Sequence, residues 1–117
     1  MSNDDKITPM LYKLKSKAAG DLILLEPQGK QLLTLIGKQP EAQGIIAPEE
    51  MLDAIEALRQ AIAKQEADQA QAVADAKAQA QPAPRFEAIG LRQRCKPFID
   101  MLERCHKAGQ PIVWGVP

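Results

Sequence analysis

The sequence predicts an α+β domain built in the order β-β-α-α-α-β: an N-terminal hairpin, three helices, and a C-terminal strand that joins the hairpin's sheet, with the helices on one face. Two observations carry this prediction. Apolar and polar residues alternate at 10–14 and apolar β-branched residues recur at 111–116, as in short strands. Between these segments, apolar residues follow helical spacing in three stretches. Because a short strand is unstable alone in water, we expect both chain ends to meet in one sheet.

The first strand places apolar residues on one face and three lysines on the other: Met10, Tyr12 and Leu14 against Lys13, Lys15 and Lys17. Turn residues around Gly20, followed by the apolar run 22–25, predict a second strand and a hairpin. A single helix over 18–36 is the competing interpretation, because leucine is a good helix former. Pro27 favours the hairpin, since inside a helix it would cost about 3 kcal/mol but at the first helical position it costs nothing.

The first predicted helix therefore runs from Pro27 to Ile36 and ends at Gly37. Residues 39–44 form a loop, after which Ile45 and Ile46 begin a new element. The second helix begins at Pro48, with acidic residues in its first turn where the helix dipole favours them. Its core-facing stripe comprises Met51, Ile55, Leu58 and Ile62.

This stripe stops after Lys64. Residues 65–81 contain seven alanines and five glutamines among seventeen residues, with Val73 as the one larger apolar side chain. Such a segment has helical propensity but little to bury. We predict that residues 65–84 are either an Ala/Gln-rich helical extension or a flexible linker, closed by Pro82 and Pro84.

The third helix is predicted from one continuous apolar stripe: Leu91, Cys95, Phe98, Leu102 and Cys105. Pro97 should kink this helix or mark its true start. Gly109 and Pro111 form its stop signal. The terminal strand follows and places Ile112, Trp114 and Val116 on one face.

Length and composition indicate one small domain. The chain has 117 residues, 45% hydrophobic and 26% charged, and we assign residues 10–64 and 85–117 to one α+β domain and residues 1–9 to a flexible N-terminal extension. The sequence holds no apolar run of about eighteen residues, and its acidic first residues differ from a secretory signal. We therefore expect a cytoplasmic protein without membrane association.

The best candidates for metal or thiol chemistry are Cys95, Cys105 and His106, which is the one histidine. Zinc needs about four converging ligands, and the sequence has no CxxC pair. Two cysteines ten residues apart on one helix lie roughly 15 Å apart, too far for a disulfide. We interpret both as free thiols in the core, with a thiol-dependent enzyme or redox sensor as the alternative. No catalytic residue, metal ligand or cofactor is predicted.

Net charge is zero but unevenly distributed: residues 1–38 carry +2, residues 39–84 carry −5 and residues 85–117 carry +3. Basic stretches at both ends, together with the lone tryptophan, suggest a candidate interaction surface. It comprises Lys13, Lys15, Lys17, Arg92, Arg94, Lys96 and Trp114.

The partner we predict for this surface is another protein or a second copy of the chain. An ordinary solvated basic face is the simpler interpretation of the charges, and Trp114 suits the core better than a partner contact. Nucleic acid is a weaker alternative, because most of the few aromatic rings that would stack on bases are assigned to the core. The function predicted from sequence is therefore a non-enzymatic interaction module of otherwise unknown activity.

Several segments together resemble a family of small uncharacterised proteobacterial proteins, catalogued as a domain of unknown function. These segments are 10–17, 32–38, 44–46, 91–94, Pro97, 101–102 and 113–116. The resemblance runs from Met10 to Val116. It implies a bacterial cytosolic setting and one domain, and it supplies no activity, ligand or catalytic residue.

Overall fold

The computed structural model describes residues 11–87 and 89–115. Within them, helices pack on one face of an antiparallel sheet, which confirms the α+β class. The elements in chain order are β1 (Leu11–Ser16), β2 (Ala19–Leu25), α1 (Glu26–Leu35), β3 (Gly44–Ile46), a 3₁₀ turn (Pro48–Glu50), α2 (Met51–Ala78), α3 (Leu91–Ala108) and β4 (Ile112–Trp114). The predicted extension at residues 1–9 and the predicted strand positions Met10 and Val116 lie outside the described residues.

The described strands form one sheet in the order β2-β1-β4-β3. In the predicted hairpin, Tyr12 lies opposite Leu24 and Leu14 opposite Leu22. A single helix over 18–36 is therefore wrong. Lys15 of β1 pairs with Val113 of β4, so the two ends of the chain do meet in the sheet as predicted.

The predicted order β-β-α-α-α-β omitted one strand. Residues Gly44–Ile46, predicted as the end of a loop and the start of an unnamed element, form β3 and pair antiparallel with β4. Ile45 lies opposite Val113, at the edge of the sheet. Three residues are too few to display the alternation by which the other strands are recognised, so the pairing depends on β4.

The helices begin and end close to the predicted positions, with one extension. α1 begins one residue before Pro27. Proline is tolerated there because the N–H that it lacks would have no partner in the first turn of a helix. α2 continues through the Ala/Gln-rich segment to Ala78, so residues 65–78 are helical rather than a linker. Pro97 lies inside α3 and does not mark its start, and Gly109, at φ 68°, ends α3 in the left-handed conformation.

The core lies between the inner face of the sheet and the three described helices. Tyr12, Leu14, Ile112 and Trp114 project from the sheet and are at most 3% exposed. The helical side chains buried against them include Leu32, Leu33, Met51, Ile55, Leu58, Ile62, Leu91, Cys95, Phe98, Leu102 and Cys105. Nearly all residues of the predicted helical stripes belong to this buried core. Because the helices cover one face of the sheet, the opposite face is left toward solvent.

Candidate interaction surface

The sheet face that points away from the helices has no layer of described residues over it. Residues directly opposite each other on neighbouring strands share a face, and the register pairs Leu11 with Leu25 and Lys13 with Ile23. The register also pairs Lys15 with Val113 and Val113 with Ile45. We call the resulting surface the outer sheet face: Leu11, Lys13, Lys15, Ile23, Leu25, Ile45 and Val113.

Large aliphatic side chains on this face are unusually exposed. Leu11 is 53% exposed, Ile23 and Leu25 are each 55% exposed, and Ile45 is 51% exposed. Single exposed leucines are common on protein surfaces, whereas four half-exposed aliphatic side chains on one sheet face make it a candidate interaction surface. These residues come from three strands, so the apolar area extends across the sheet.

The lysines of β1 divide this apolar area. On one side of Lys13 and Lys15 lie Ile23 and Leu25 of β2, and on the other side lies Val113 of β4, followed by β3. Lys17 lies next to them in the hairpin turn and is exposed. The predicted alternation of strand β1 is therefore confirmed, with its lysines directed away from the core.

Basic residues elsewhere in the described structure fall into two groups: seven form ion pairs, whereas Lys77, Arg85, Arg104 and Lys107 form none with the described residues. The observed ion pairs are Lys30–Glu26, Lys38–Glu50, Arg59–Glu103, Lys64–Asp68, Arg92–Glu66, Arg94–Glu87 and Lys96–Asp100. Among residues 11–87 and 89–115, no ion pair involves Lys13, Lys15 or Lys17. Asp21 borders the same shallow groove as Lys15 and Lys17 without pairing with either. The lysines of the outer sheet face thus form no ion pair with the described residues, and Asp21 is the acidic side chain that shares the groove of Lys15 and Lys17.

The three basic residues of α3 that the sequence grouped with the β1 lysines lie in the helical layer. Arg92 Nε donates to Glu66 of α2 at 2.8 Å, and Lys96 pairs with Asp100 on its own helix at 3.2 Å. The carboxylate of Glu66 has a lowered pKa because Arg92 donates to it. The structure therefore separates the predicted basic surface into two groups on opposite layers of the fold.

Arg94 has a role within the fold. Its side chain is 16% exposed and donates to Gln31 of α1 at 3.0 Å, to Glu87 at 2.6 Å and to the carbonyl oxygen of Ile89 at 3.3 Å. These bonds hold the segment before α3 against α1. The guanidinium is consequently engaged by the protein itself.

Trp114, which the sequence included in the candidate interaction surface, lies in the core and not on the outer sheet face. It is 2% exposed, its ring packs on Gly44, and its Nε1 donates to the carbonyl oxygen of Glu41 at 2.9 Å. The core position that the sequence favoured is therefore the observed one. A partner has no access to this ring in the structure.

The thiols are equally inaccessible. Cys95 and Cys105 are both free and 0% exposed, and burial raises the pKa of the Cys95 thiol to about 11. A thiol with such a pKa is almost entirely protonated at neutral pH and is a poor nucleophile. Across the residues that the structure describes, no three His, Cys, Asp or Glu side chains are grouped as a metal site requires.

A family model described as a domain of unknown function, DUF1840, matches residues 10–114. The chain belongs to this family. No curated protein and no solved structure matched it.

The DUF1840 match covers every strand and helix described above, from β1 to the last residue of β4. The outer sheet face of this DUF1840 domain therefore lies wholly within the matched range. None of its described helices has an apolar stretch long enough to cross a bilayer.

The lysines of the outer sheet face were predictable from the alternation of β1, whereas its aliphatic residues were not predicted. Leu11 interrupts the alternation of β1, because it lies on the same face as the lysines and not on the core face. This irregularity could have indicated that the outer sheet face is partly apolar. Ile23, Leu25, Ile45 and Val113 gave no such signal. Their common face depends on strand order and register in the DUF1840 sheet.

Proposed function

We propose that this DUF1840 chain is a non-enzymatic protein-binding module and that the outer sheet face is its binding surface. The observation that carries the proposal is the aliphatic group on this face, where Leu11, Ile23, Leu25 and Ile45 each have about half of their surface in water. Fully burying a Leu or Ile side chain is worth roughly 1.5–3 kcal/mol. Covering four half-exposed side chains therefore supplies a substantial part of the free energy of a protein complex.

The arrangement of the remaining side chains supports binding rather than catalysis. The sulfurs of Cys95 and Cys105 pack in the core, where solutes do not reach them. Many carboxylates are used in surface ion pairs such as Glu66 with Arg92. The outer sheet face itself presents aliphatic groups and ammonium groups, which bind and orient a partner.

The proposal is tested by making the outer sheet face polar without disturbing the strands. The double variant Ile23→Thr/Ile45→Thr keeps β-branched residues at two exposed positions, so the sheet is retained. Leu52→Gln is the matched control, because Leu52 is 59% exposed on α2, in the other layer. Thermal unfolding first establishes that both variants are folded.

Each tagged protein is then recovered from its native host at low salt, and its oligomeric state is measured by sedimentation velocity. We expect a specific bound chain, or self-association, with the wild type and with Leu52→Gln, and its loss with the double variant. Equal recovery with all three proteins would exclude the outer sheet face as the binding surface. Monomers without bound protein in every case would count against a binding module.

A further inference from the structure

We infer that the occupant of the outer sheet face is an acidic amphipathic helix of a protein partner. This inference rests on the proposed function and adds the chemistry and secondary structure of the partner. It depends on three features of the face: its exposed aliphatic residues, its lysines without observed ion pairs, and the limitation that a sheet face offers side chains but no backbone groups to its occupant.

The charge of the partner follows from the lysines. Lys13 and Lys15 lie on the central strand β1, between the aliphatic residues of β2 and those of β4 and β3, so any partner that covers those residues also covers the lysines. Burying an ammonium group without a partner is costly, whereas a carboxylate provides a charge-assisted hydrogen bond. The lysine stems add apolar contact area while their ammonium groups reach the flanks. A partner with carboxylates beside an apolar stripe can pair with the ammonium groups and also cover the aliphatic residues.

The conformation of the partner follows from backbone hydrogen bonding. The backbone groups of β1 and β4 bond within the plane of the sheet and are not available above it. An extended segment laid on this face would bury N–H and C=O groups without partners, whereas a helix satisfies its own. β1 has six residues, or roughly 20 Å, which corresponds to about 13 residues of α-helix.

Other occupants fit these features less well. A second copy that stacked the same face would bring the lysines of both copies together, and such like-charge contacts oppose association. Single-stranded nucleic acid needs aromatic rings for stacking, and the outer sheet face has none. On membrane-binding surfaces lysines surround the apolar group and reach the interface from its rim, but here Lys13 and Lys15 run through the middle.

The test uses a fluorescently labelled synthetic helix of about fourteen residues, with a stripe of leucines flanked by glutamates. The matched control peptide has lysine at every glutamate position. Binding to the full chain is measured by anisotropy, and amide shifts locate the site. We expect the acidic peptide to bind about tenfold more tightly than the basic one at low salt, with shifts in β1, β2 and β4 and not in the exposed half of α2.

Charge reversal on the protein provides the second arm. In the variant Lys13→Glu/Lys15→Glu/Lys17→Glu the preference should invert, so that the basic peptide binds more tightly than the acidic one. The variant Arg92→Glu/Lys96→Glu, with the same kind of change on α3, should keep the preference for the acidic peptide. Amide spectra of both variants confirm that the fold is intact.

The outcomes separate this inference from the proposed function. Equal affinity for both peptides, or shifts confined to the helical layer, would overturn the acidic helix. A wild-type homodimer that is lost in Ile23→Thr/Ile45→Thr would also overturn the acidic helix, but it would support protein binding through the outer sheet face. Tight binding to phosphatidylserine vesicles or to RNA that is lost in Lys13→Glu/Lys15→Glu/Lys17→Glu, with no measurable binding of the acidic peptide to the wild type, would overturn the inference and the proposed function together.

Discussion

Gly44 of β3 lies directly under the indole ring of Trp114 of β4, its partner in the register. A Cβ atom at residue 44 would overlap Cζ2 of that ring. The ring cannot easily move away, because its Nε1 is bonded to the carbonyl oxygen of Glu41. The close contact between Gly44 and Trp114 holds β3 against β4 at the edge of the sheet. Ile45, the next residue of β3, therefore lies on the outer sheet face.

Gly44→Ala is expected to destabilise the protein by about 1–3 kcal/mol, because it forces an extra carbon into a packed core. Gly20→Ala is the control: Gly20 lies on β2 with nothing within 4 Å of an added Cβ, so its effect should be below about 0.5 kcal/mol. Urea unfolding gives the two values. Similar stabilities for both variants would show that the indole is not held against β3.

Glu50 is expected to stabilise the fold at neutral pH and less in acid. Its carboxylate accepts hydrogen bonds from Lys38 Nζ at 2.8 Å and from the backbone N–H of Ala47 at 2.8 Å. Lys38, followed by that N–H, holds the pKa of Glu50 below the ordinary value of 4.5. A carboxyl whose native pKa is lowered adds stability above its unfolded pKa, and that contribution is lost as pH falls through the native pKa.

Glu50→Gln should therefore cost less than about 1 kcal/mol at pH 7, since the Glu50 side chain is 44% exposed and the pair is screened by water. Against wild type, the difference in the free energy of unfolding should shrink as pH is lowered below 4.5. Glu49→Gln, at the exposed neighbouring position, is the matched control for the loss of one carboxylate from the same turn. A difference for Glu50→Gln that is constant from pH 7 to acid would contradict the role of its charge.

The two thiols are expected to react only when the protein opens. Cys95 and Cys105 are 0% exposed, and the pKa of Cys95 is raised to about 11 by burial. Labelling with a disulfide reagent at pH 8 should be slow in water and should accelerate with urea along the unfolding transition. Ala74→Cys places a thiol at an exposed site of α2 and should react at once. Rapid labelling of the native wild type would favour a thiol-based function instead.

Arg94→Ala is expected to release the segment before α3. The side chain holds Gln31, Glu87 and the Ile89 carbonyl, so its removal should cost about 1–2 kcal/mol and increase amide exchange at Glu87 and Ile89. Arg92→Ala removes an exposed ion pair that water screens, and its loss of stability should be clearly smaller than that of Arg94→Ala. Equal losses of stability in the two variants would contradict the conclusion that Arg94 holds the segment before α3 in place.

Local sequence features predicted most of the elements. Three features depend on neighbours within a few residues: the alternation at Tyr12 and Leu14, the helix start at Pro27 and the stop signal at Gly109. The first and third are found as predicted, and the helix begins one residue before Pro27. The helical stripes were readable for the same reason, since residues three and four apart share a helix face.

One feature of the fold, β3, could not be predicted from local sequence, and another, the extension of α2, was left open between a helix and a linker. β3 exists because β4 lies beside it, and three residues carry no period of their own. The extension of α2 gains tertiary support where the chain returns along it, since the Gln65 side chain accepts a hydrogen bond from the Leu91 N–H. That contact joins residues 26 positions apart, which no local pattern contains.

By itself, the sequence determined which faces of β1 and of the helices are apolar, because those faces follow from the periods of the backbone. Tertiary structure alone decided which faces meet. Strand order and register placed Leu11, Ile23 and Ile45 on the same open surface as the lysines, and helix packing gave Arg92 and Arg94 partners inside the molecule. The physical reason is that side-chain neighbours across strands and between helices are set by long-range pairing.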